Sequence, residues 1–386
     1  MIKTEAWVLY RGERDAPAGP AVFRREEYCF PDIADDEMLV EPLYGCWEAN
    51  MTHAISRDPI DICRARREDR IVLGNAGVVR IARVGRAAVT TAREGDLAMI
   101  SPLAAVDRFG YLTKVMAYDA PNTMGILAKQ AKVKGTQVIV LPEGQPYSLP
   151  QWAAFSARYV VAWANWRIAY GCWRVQMPEH LAPTVDVFAW GGGVSIAELT
   201  LAAHFGGRAF MAASTDYRLQ LIEQCGITPF DRRLFPDLKF DDERYATDHE
   251  YKRRYLASES TFLALIRSAT EGLGASIIID NIGRPVFRAS LRALARQGVL
   301  TSQGWKLGME LGFTRASECI SRHIQVCTHG FSAEDAIAAT RFAIDTGWVP
   351  SDVDEVYGWE DVAQLACDYA CGRVKSYFPL FEVNRC

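Results

Sequence analysis

Apolar and polar residues alternate over short stretches through the first 140 residues, and turn residues separate these stretches. A period of two is typical of β-strands that bury one face. The first part of the chain is therefore predicted to be rich in strands. The stretches are MLVEPLY (38–44), VVRIARVG (78–85), DLAMIS (96–101) and TQVIVLP (136–142).

From about residue 150 the pattern changes to helical runs that alternate with short, continuous apolar segments. This alternation is typical of βαβ units, so we expect a doubly wound parallel sheet and a domain boundary near residue 145. The predicted strands are VDVFAW (185–190), RAFMAA (208–213), ASIIIDNIG (275–283) and VLTSQG (299–304). The predicted helices are 194–206, 214–226, with Ser214 or Thr215 as N-cap, and 285–298.

Two further segments stand out by their residue types. The stretch 235–260 carries charges of both signs and aromatic residues, which does not fit a buried strand. We interpret it as an insertion, either a solvated excursion or a flap near a cofactor. Five aromatic residues at near-helical spacing favour a helix packed on the core over a substrate wall. They are Trp152, Phe155, Tyr159, Trp163 and Trp166.

Composition narrows the class of protein. The chain has 386 residues, of which 49% are hydrophobic and 23% charged, as is typical of a globular protein of two or three domains. The net charge is -4 and no strongly basic run occurs, so neither nucleic acid nor an anionic membrane is an expected partner. The charged N-terminal segment and the lack of a run of ~18 apolar residues predict a cytoplasmic protein.

The ten cysteines are scattered and form no CxxC pair. Such scatter predicts reduced, mostly buried thiols rather than disulfides or a metal cluster. Cys367 and Cys371 are spaced to share one helix face, but no further ligands lie near them in the sequence.

A glycine-rich turn joins the predicted strand 185–190 to the helix that follows it. At such a turn the backbone can approach a pyrophosphate, whose charge is favoured by the helix N-terminus. A strict GxGxxG motif is absent, because Trp190 and Ser195 take the first and third glycine positions. The predicted cofactor contacts at this turn are Gly191, Gly192, Gly193 and Val194.

The residues after the next strand bear on the choice between NADPH and NADH. Ser214, Thr215 and Arg218 offer two hydroxyls and a guanidinium, which suit a 2′-phosphate and favour NADPH. Asp216, in the same segment, argues against NADPH. It is either the acid that binds the ribose hydroxyls or an early-helix charge favoured by the helix dipole.

Ligands of open α/β sheets lie at the carboxyl ends of the strands, so Asn281 and Ser302 are further candidate cofactor contacts. Gly304 lies in the same turn as Ser302. His323 and His329 belong to the segment RHIQVCTHG, which is interpreted either as a strand at a subunit interface or as part of the cleft.

The order and spacing of several short segments resemble those of the medium-chain dehydrogenase/reductase superfamily over essentially the whole chain. The segments are GNAGVV (74–79) with Val84-Gly85, Glu94-Gly95-Asp96, Ala162-Trp163, GGGV (191–194), DNIG (280–283) and GRV (372–374). The resemblance implies an α/β protein with a GroES-like, β-rich catalytic domain at 1–145, completed by 350–386. It also implies a Rossmann domain at 146–349 and a homodimer, for which HIQVCTHG is a candidate edge strand.

Within the superfamily the chain looks like the zinc-independent quinone and enoyl reductases, and the insertion before IIIDNIG resembles that of the crotonyl-CoA reductase/carboxylase branch. Counted from His53, the three zinc-ligand positions of zinc-dependent members fall on Glu48, Asn75 and near Ala157. Only one of these side chains could bind zinc, so no zinc is expected. In an alternative register, Cys46 becomes a ligand.

The resemblance then implies hydride transfer from NADPH to a conjugated C=C or carbonyl of a small or carrier-bound acyl substrate. The candidate catalytic residues are Glu48, Asn50, His53 and Tyr44. Asn50 could donate a hydrogen bond to an enolate oxygen, and His53 or Tyr44 could supply a proton. Glu48 in a dry cleft could act as acid or base. A ribose contact or a place in the core is the alternative for His53, and packing is the alternative for Tyr44.

Two other function classes stay open. The first is a redox-neutral lyase or isomerase in which Glu48 and His53 transfer protons. The reason to consider it is that Trp190 and Ser195 depart from the glycine motif. The second is a dimeric binding protein without turnover. Arg outnumbers Lys and Ala is abundant, which favours a GC-rich bacterial source and a role in secondary metabolism.

Overall fold

The computed structural model describes residues 1–12, 20–304, 307, 312, 320–328 and 330–385. Cys319, His329 and Cys386 lie outside these ranges. Contacts divide the chain into two compact units, the first comprising 1–160 with 331–386 and the second 161–330. The domain bounds predicted from the sequence stay a prediction. Within the ranges above, no helix is long and apolar enough to cross a membrane.

Strands dominate the early part of the chain, and strands and helices alternate later. The strands are β1 (Ile2–Tyr10), β2 (Phe23–Phe30), β3 (Glu37–Cys46), β4 (Arg70–Val72), β5 (Gly77–Val84), β6 (Leu97–Ile100), β7 (Leu103–Val106), β8 (Leu112–Val115), β9 (Ala131–Lys134), β10 (Val138–Val140), β11 (Asp186–Trp190), β12 (Arg208–Ala213), β13 (Thr228–Asp231), β14 (Ala275–Asp280), β15 (Leu294–Ser302), β16 (Gln325–Thr328), β17 (Val356–Tyr357) and β18 (Leu380–Glu382). The helices are α1 (Ala49–Ser56), α2 (Ile62–Arg66), α3 (Leu149–Gln176), α4 (Gly193–His204), α5 (Asp216–Gln224), α6 (Asp242–Thr247), α7 (His249–Ala269), α8 (Arg284–Ala293), α9 (Ala333–Thr346) and α10 (Val362–Ala370).

The first unit contains a seven-stranded sheet in the order β10-β6-β5-β3-β18-β17, in which β9 also pairs with β3. Smaller sheets have the orders β2-β1-β4 and β7-β8. Burial along β3 alternates as the sequence pattern predicts, since Met38 and Val40 are buried and Leu39 and Glu41 are partly exposed. Strand β18, near the C-terminus, pairs with β3, so the last residues complete this sheet.

The second unit contains a six-stranded sheet in the order β13-β12-β11-β14-β15-β16, with parallel pairing throughout. All residues of β11 and β14 are buried, as expected for central strands covered on both faces. The predicted helix 285–298 is too long at its C-terminal end. Helix α8 ends at Ala293, because Leu294 already pairs with Ala275 of the neighbouring strand. Strand β16 lies at the edge of this sheet.

The segment 235–260 is not a solvated excursion. It forms α6 and most of α7, and Phe235 and Leu238 before these helices are fully buried. Tyr251 and Tyr255, one helical turn apart, are also buried, and most charged residues of α7 are exposed. Glu259 is the exception, since it is buried beside Tyr255 and pairs with Arg292. The sequence pattern concealed an amphipathic helix, because its charges outnumber its aromatic residues. A role as a flap near a cofactor stays a prediction.

The aromatic helix is confirmed as α3. Trp152 and Phe155 are fully buried, and Tyr159 and Trp166 are 2% exposed, so these side chains pack in the core. In the first unit, the ring of Tyr159 lies 4.7 Å from that of Trp348. Trp163 is half-buried.

Candidate active site

The glycine turn lies where β11 ends and α4 begins. Gly191 has a φ of +139°, and a Cβ at this position would lie 2.5 Å from Ser195 Oγ, so only glycine fits. Gly192 is the N-cap of α4, and a Cβ there would have no atom within 4 Å. The backbone beside Gly192 is therefore open at the N-terminus of a helix, which is the arrangement that favours an anion. Gly193 and Val194 form the first turn of α4.

Trp190 does not narrow this turn. Its side chain is 1% exposed and packs against Phe188, Phe235 and Phe262 at ring distances of 4.8, 6.2 and 5.0 Å. The indole Nε1 donates a hydrogen bond to Ser290 Oγ at 2.9 Å. The indole is thus a core side chain.

The predicted contacts after β14 and β15 come together around Asn281. Its Nδ2 donates to Ser195 Oγ at 3.0 Å, and its Oδ1 accepts from the amides of Gln303 and Gly304 at 3.2 and 3.1 Å. Ser195 Oγ donates to the carbonyl of Trp190 at 2.9 Å, and Ser302 Oγ donates to the carbonyl of Gly304 at 2.8 Å. The turns after three strands are therefore hydrogen-bonded to one another.

Below these turns lies a buried carboxyl that the sequence reasoning missed. Glu198 on α4 is fully buried, and its Oε1 accepts from Asn165 Nδ2. Asn165 Oδ1 in turn accepts from Thr301 Oγ1 at 2.6 Å. Burial raises the pKa of Glu198 to about 8, and the side-chain amides of Asn165 and Asn281 oppose this rise. The one available signal was an acidic residue within the apolar helix 194–206.

Asp280 is a second buried carboxyl in this region, at the end of β14. Its Oδ1 accepts from the amides of Ile282 and Gly283 at 3.0 and 2.9 Å. Burial raises the pKa of Asp280 to about 6, although these two hydrogen bonds lower it.

The residues after β12 lie at the start of α5. Thr215 is the N-cap, and its hydroxyl accepts from the Arg218 amide at 3.4 Å. Ser214 is exposed and Arg218 half-buried. Arg233, which the sequence reasoning did not consider, donates to Asp216 Oδ1 at 2.7 Å. The Asp216 carboxylate is therefore paired with a cation.

In the first unit, the candidate acid Glu48 lies between β3 and α1 and forms a buried ion pair. Arg158 Nη1 lies 3.3 Å from Glu48 Oε1, and the two side chains are 5% and 16% exposed. The Arg158 guanidinium also donates to the Trp47 carbonyl at 2.7 Å and contacts Cys46 Sγ. Burial raises the pKa of Glu48 despite the opposing effect of Arg158. Burial likewise raises the pKa of Cys46 to about 12, which keeps this thiol neutral.

Arg158 was missed although it directly follows Ala157, near which the third zinc-ligand position was counted. Asn75 is 3% exposed, and its segment is joined to that of Glu48 because the Cys46 amide donates to the Ala76 carbonyl at 3.0 Å. The side-chain oxygens of Asn50 and Asn75 are buried and accept no hydrogen bond. The amide oxygens of Asn50, two residues after Glu48, and of Asn75 thus keep unused acceptor capacity.

The other two predicted catalytic residues have their own partners. His53 is half-buried on α1, and its Nδ1 donates to the Asp58 carbonyl at 3.0 Å. His53 is therefore not a core histidine. Tyr44 on β3 donates from its hydroxyl to Glu382 Oε1 at 3.3 Å, across the β3–β18 pair. Their catalytic roles stay predictions.

The donor set at the counted zinc positions does not resemble a zinc site, because Asn75 and Ala157 supply neither thiolate nor imidazole. In the part of the chain that the structure describes, no group of three or more His, Cys, Asp or Glu residues could hold a metal ion. The eight cysteines in that part are free thiols, but only Cys46 and Cys63 are buried, so the expectation that most thiols are buried is wrong.

No protein-family model matches the sequence. Solved structures are similar over nearly the whole chain. Crotonyl-CoA carboxylase/reductase AntE in complex with NADP has a TM-score of 0.78 at 21% identity, covering 99% of this chain and 95% of that chain.

The 2-octenoyl-CoA carboxylase reductase CinF from Streptomyces, in complex with NADP and 2-octenoyl-CoA, has a TM-score of 0.78 at 17% identity, covering 98% of this chain and 87% of that chain. A putative alcohol dehydrogenase from Sinorhizobium meliloti has a TM-score of 0.72 at 15% identity, covering 99% and 100% of the two chains. The chain therefore has the fold predicted from its sequence, an α/β fold with a GroES-like, β-rich part and a Rossmann part.

Proposed function

We propose that this protein is an NADPH-dependent oxidoreductase that reduces a conjugated C=C or carbonyl of a small or carrier-bound acyl substrate without zinc. The observation that carries the proposal is the turn at Gly191–Gly193, which presents open backbone at the N-terminus of α4 and at the carboxyl edge of a parallel sheet. The solved structures with NADP, one of them also with an enoyl-CoA, support the cofactor and the substrate class.

The residues of the second unit fit a dinucleotide. Gly191, Gly192, Gly193 and Val194 would hold the pyrophosphate by their backbone. Ser214, Thr215 and Arg218 would hold the 2′-phosphate at the end of β12. Pairing with Arg233 satisfies the Asp216 carboxylate, which weakens the case for Asp216 as the ribose acid of an NADH enzyme.

When bound, NADPH supplies a hydride, and we assign the remaining chemistry to Glu48, Asn50, His53 and Tyr44. Addition of a hydride to an activated C=C leaves an enolate, which needs one proton at carbon and a hydrogen-bond donor at oxygen. Burial raises the pKa of Glu48, although Arg158 opposes the rise, and we assign the role of general acid to this carboxyl. The Asn50 amide would donate to the oxygen. His53 and Tyr44 are the alternative proton donors.

The buried Glu48 also suits a second candidate, a redox-neutral lyase or isomerase on the same fold. In that reaction the Glu48 carboxyl would remove a proton at one carbon and return it at another, with no net hydride transfer. The departure of Trp190 from the glycine motif no longer supports this candidate, because the Trp190 indole lies in the core.

Cofactor binding is the first test. NADPH and NADH are titrated into the protein and followed by tryptophan fluorescence, with Gly192→Ala as the test variant. Because a Cβ at Gly192 meets no atom within 4 Å, we expect unchanged thermal stability and an NADPH affinity at least about tenfold weaker. The matched control is Gly171→Ala, since Gly171 is an exposed glycine of α3 whose Cβ also meets open space. Failure of the wild type to bind either dinucleotide would overturn the proposal.

Turnover is the second test. NADPH oxidation is measured with enones and enoyl thioesters for the wild type, Glu48→Gln and the control Glu41→Gln, which changes a partly exposed carboxylate paired with Arg80. We expect Glu48→Gln to lose turnover and to keep its NADPH affinity, and Glu41→Gln to behave as the wild type. Product formed without NADPH oxidation would identify the redox-neutral enzyme instead.

A further inference from the structure

The turns that follow β11, β14 and β15 belong to neighbouring strands of one sheet. The side chain of one residue, Asn281, connects these three turns. Its Nδ2 reaches the first turn through Ser195, which bonds the Trp190 carbonyl, and its Oδ1 holds the amides of Gln303 and Gly304 in the third. Asn281 itself lies in the second turn. The Asn281 side chain therefore links the three turns, in addition to the backbone hydrogen bond from the Asn281 amide to the Trp190 carbonyl at 3.2 Å.

Asn281, Ser195, Glu198, Asn165 and Thr301 form a hydrogen-bonded network, and the turns pack directly on it. A Cβ at Gly304 would lie 2.8 Å from the backbone oxygen of Asn281, and a Cβ at Gly191 would lie 2.5 Å from Ser195 Oγ. A side chain at either glycine would therefore collide with Asn281 or Ser195, which shows how closely both turns approach these residues.

The remaining members of the network cannot touch a ligand in the turns. Ser195, Glu198, Asn165 and Thr301 are all fully buried. Glu198 bonds Asn165, which bonds Thr301 of β15, and the Asn281 amide acts on the same carboxyl. Neither Ser195 nor an uncharged Glu198 can therefore act on a bound dinucleotide by direct contact, and both can act through the position of the turns.

We propose that Asn281 is the positioning residue of the dinucleotide site, and that the buried side chains of Ser195 and Glu198 act through it to fix the three turns in their binding arrangement. This inference rests on the proposed function for the identity of the ligand. It differs from the expectation that Asn281 contacts the cofactor, because the amide oxygen and one amide N–H are already used within the protein.

The test compares buried variants that cannot contact NADPH. Ser195→Ala removes the hydroxyl that joins the Asn281 side chain to the first turn and leaves the backbone bond from Asn281 to Trp190 in place. We expect a Kd for NADPH about fivefold to tenfold higher, as for a lost hydrogen bond. Glu198→Ala should weaken binding similarly, and Glu198→Gln should restore it near pH 7, because Gln reproduces a neutral carboxyl. The matched control is Ser276→Ala, which removes a buried hydroxyl at the amino end of β14, where it accepts from the Asp186 amide. Its affinity should equal that of the wild type.

Hydrogen exchange at the Gln303 and Gly304 amides gives a second readout that needs no cofactor. Both amides should exchange at least about tenfold faster in Asn281→Ala, which removes their acceptor. If Asn281→Ala loses affinity while Ser195→Ala and Glu198→Ala bind as the wild type, Asn281 is a direct contact and the inference is wrong. Unchanged exchange in Asn281→Ala also overturns it. If the wild type binds no dinucleotide, the proposed function fails, and the exchange rates alone decide whether the network positions the turns.

Discussion

Replacing Glu198 by Gln tests whether a fully buried carboxyl is neutral in the folded protein. Burial raises the pKa of Glu198 from 4.5 to about 8. Gln has nearly the same shape and carries no charge at any pH. The variant therefore removes the titration of Glu198 and leaves its packing against Asn165 nearly intact.

The expected magnitude follows from linkage between protonation and folding. Between the two pKa values the folded chain holds a proton on Glu198 that the unfolded chain has lost, so wild-type stability falls as pH rises through this range. Each unit by which the pKa of Glu198 is raised above 4.5 corresponds to about 1.4 kcal/mol. The loss of folding stability over the whole range therefore reaches up to roughly 5 kcal/mol. The stabilisation is complete below about pH 4.5 and is lost as pH rises through about 8.

Urea unfolding of the wild type and Glu198→Gln between about pH 5 and about pH 9 measures this difference. Subtracting the two curves at each pH cancels Asp280, which both proteins keep. We expect the free energy of unfolding of Glu198→Gln to rise relative to that of the wild type as pH rises. Glu223→Gln, at an exposed position on α5, serves as a control whose difference from the wild type should stay flat. A flat difference for Glu198→Gln, or one of opposite slope, would refute a neutral buried Glu198.

Three further outcomes are expected. Trp190→Ala should lower the free energy of unfolding by about 3–5 kcal/mol, measured in urea, because it empties a site between aromatic rings; near-wild-type stability would contradict the packing described above. Arg158→Met should destabilise the fold by about 3–5 kcal/mol and raise the pKa of Glu48 further, moving the acidic group in the pH–rate profile to higher pH; an unmoved profile would separate Glu48 from catalysis. Arg218→Ala should weaken NADPH binding by about tenfold or more and leave NADH binding unchanged in parallel titrations; equal losses would argue against a 2′-phosphate contact.

Two strands of the second unit, β11 and β12, could be predicted closely because burial produces continuous apolar runs in them. The predicted strand 208–213 has the bounds of β12, and 185–190 differs from β11 by one residue. The end of α8 could not be predicted in the same way. Residues 294–298 follow a helical pattern, and pairing of Leu294 with Ala275 decides their conformation, so tertiary contacts override local preference there.

Features of the candidate site that depend on neighbours in the chain were accessible from sequence. The glycine turn and the Thr215 N-cap are of this kind. The residues that were missed have distant partners. Arg158 bonds to Trp47, 111 residues earlier, and Asn165 bonds to Glu198, 33 residues later. A single sequence holds no signal for such pairs, because only the fold brings their segments together.

The two departures from the glycine motif have one explanation in packing. Trp190 packs against Phe235, at the start of the segment 235–260, and against Phe262 of α7, so these rings enclose the indole in the core. Ser195 fills the space beside Gly191 with a hydroxyl that bonds Asn281 and the Trp190 carbonyl. Both side chains face the interior, and the backbone beside Gly192 stays open. The departures at Trp190 and Ser195 therefore change how the turn packs against the interior of the protein. They no longer argue for a reaction other than hydride transfer.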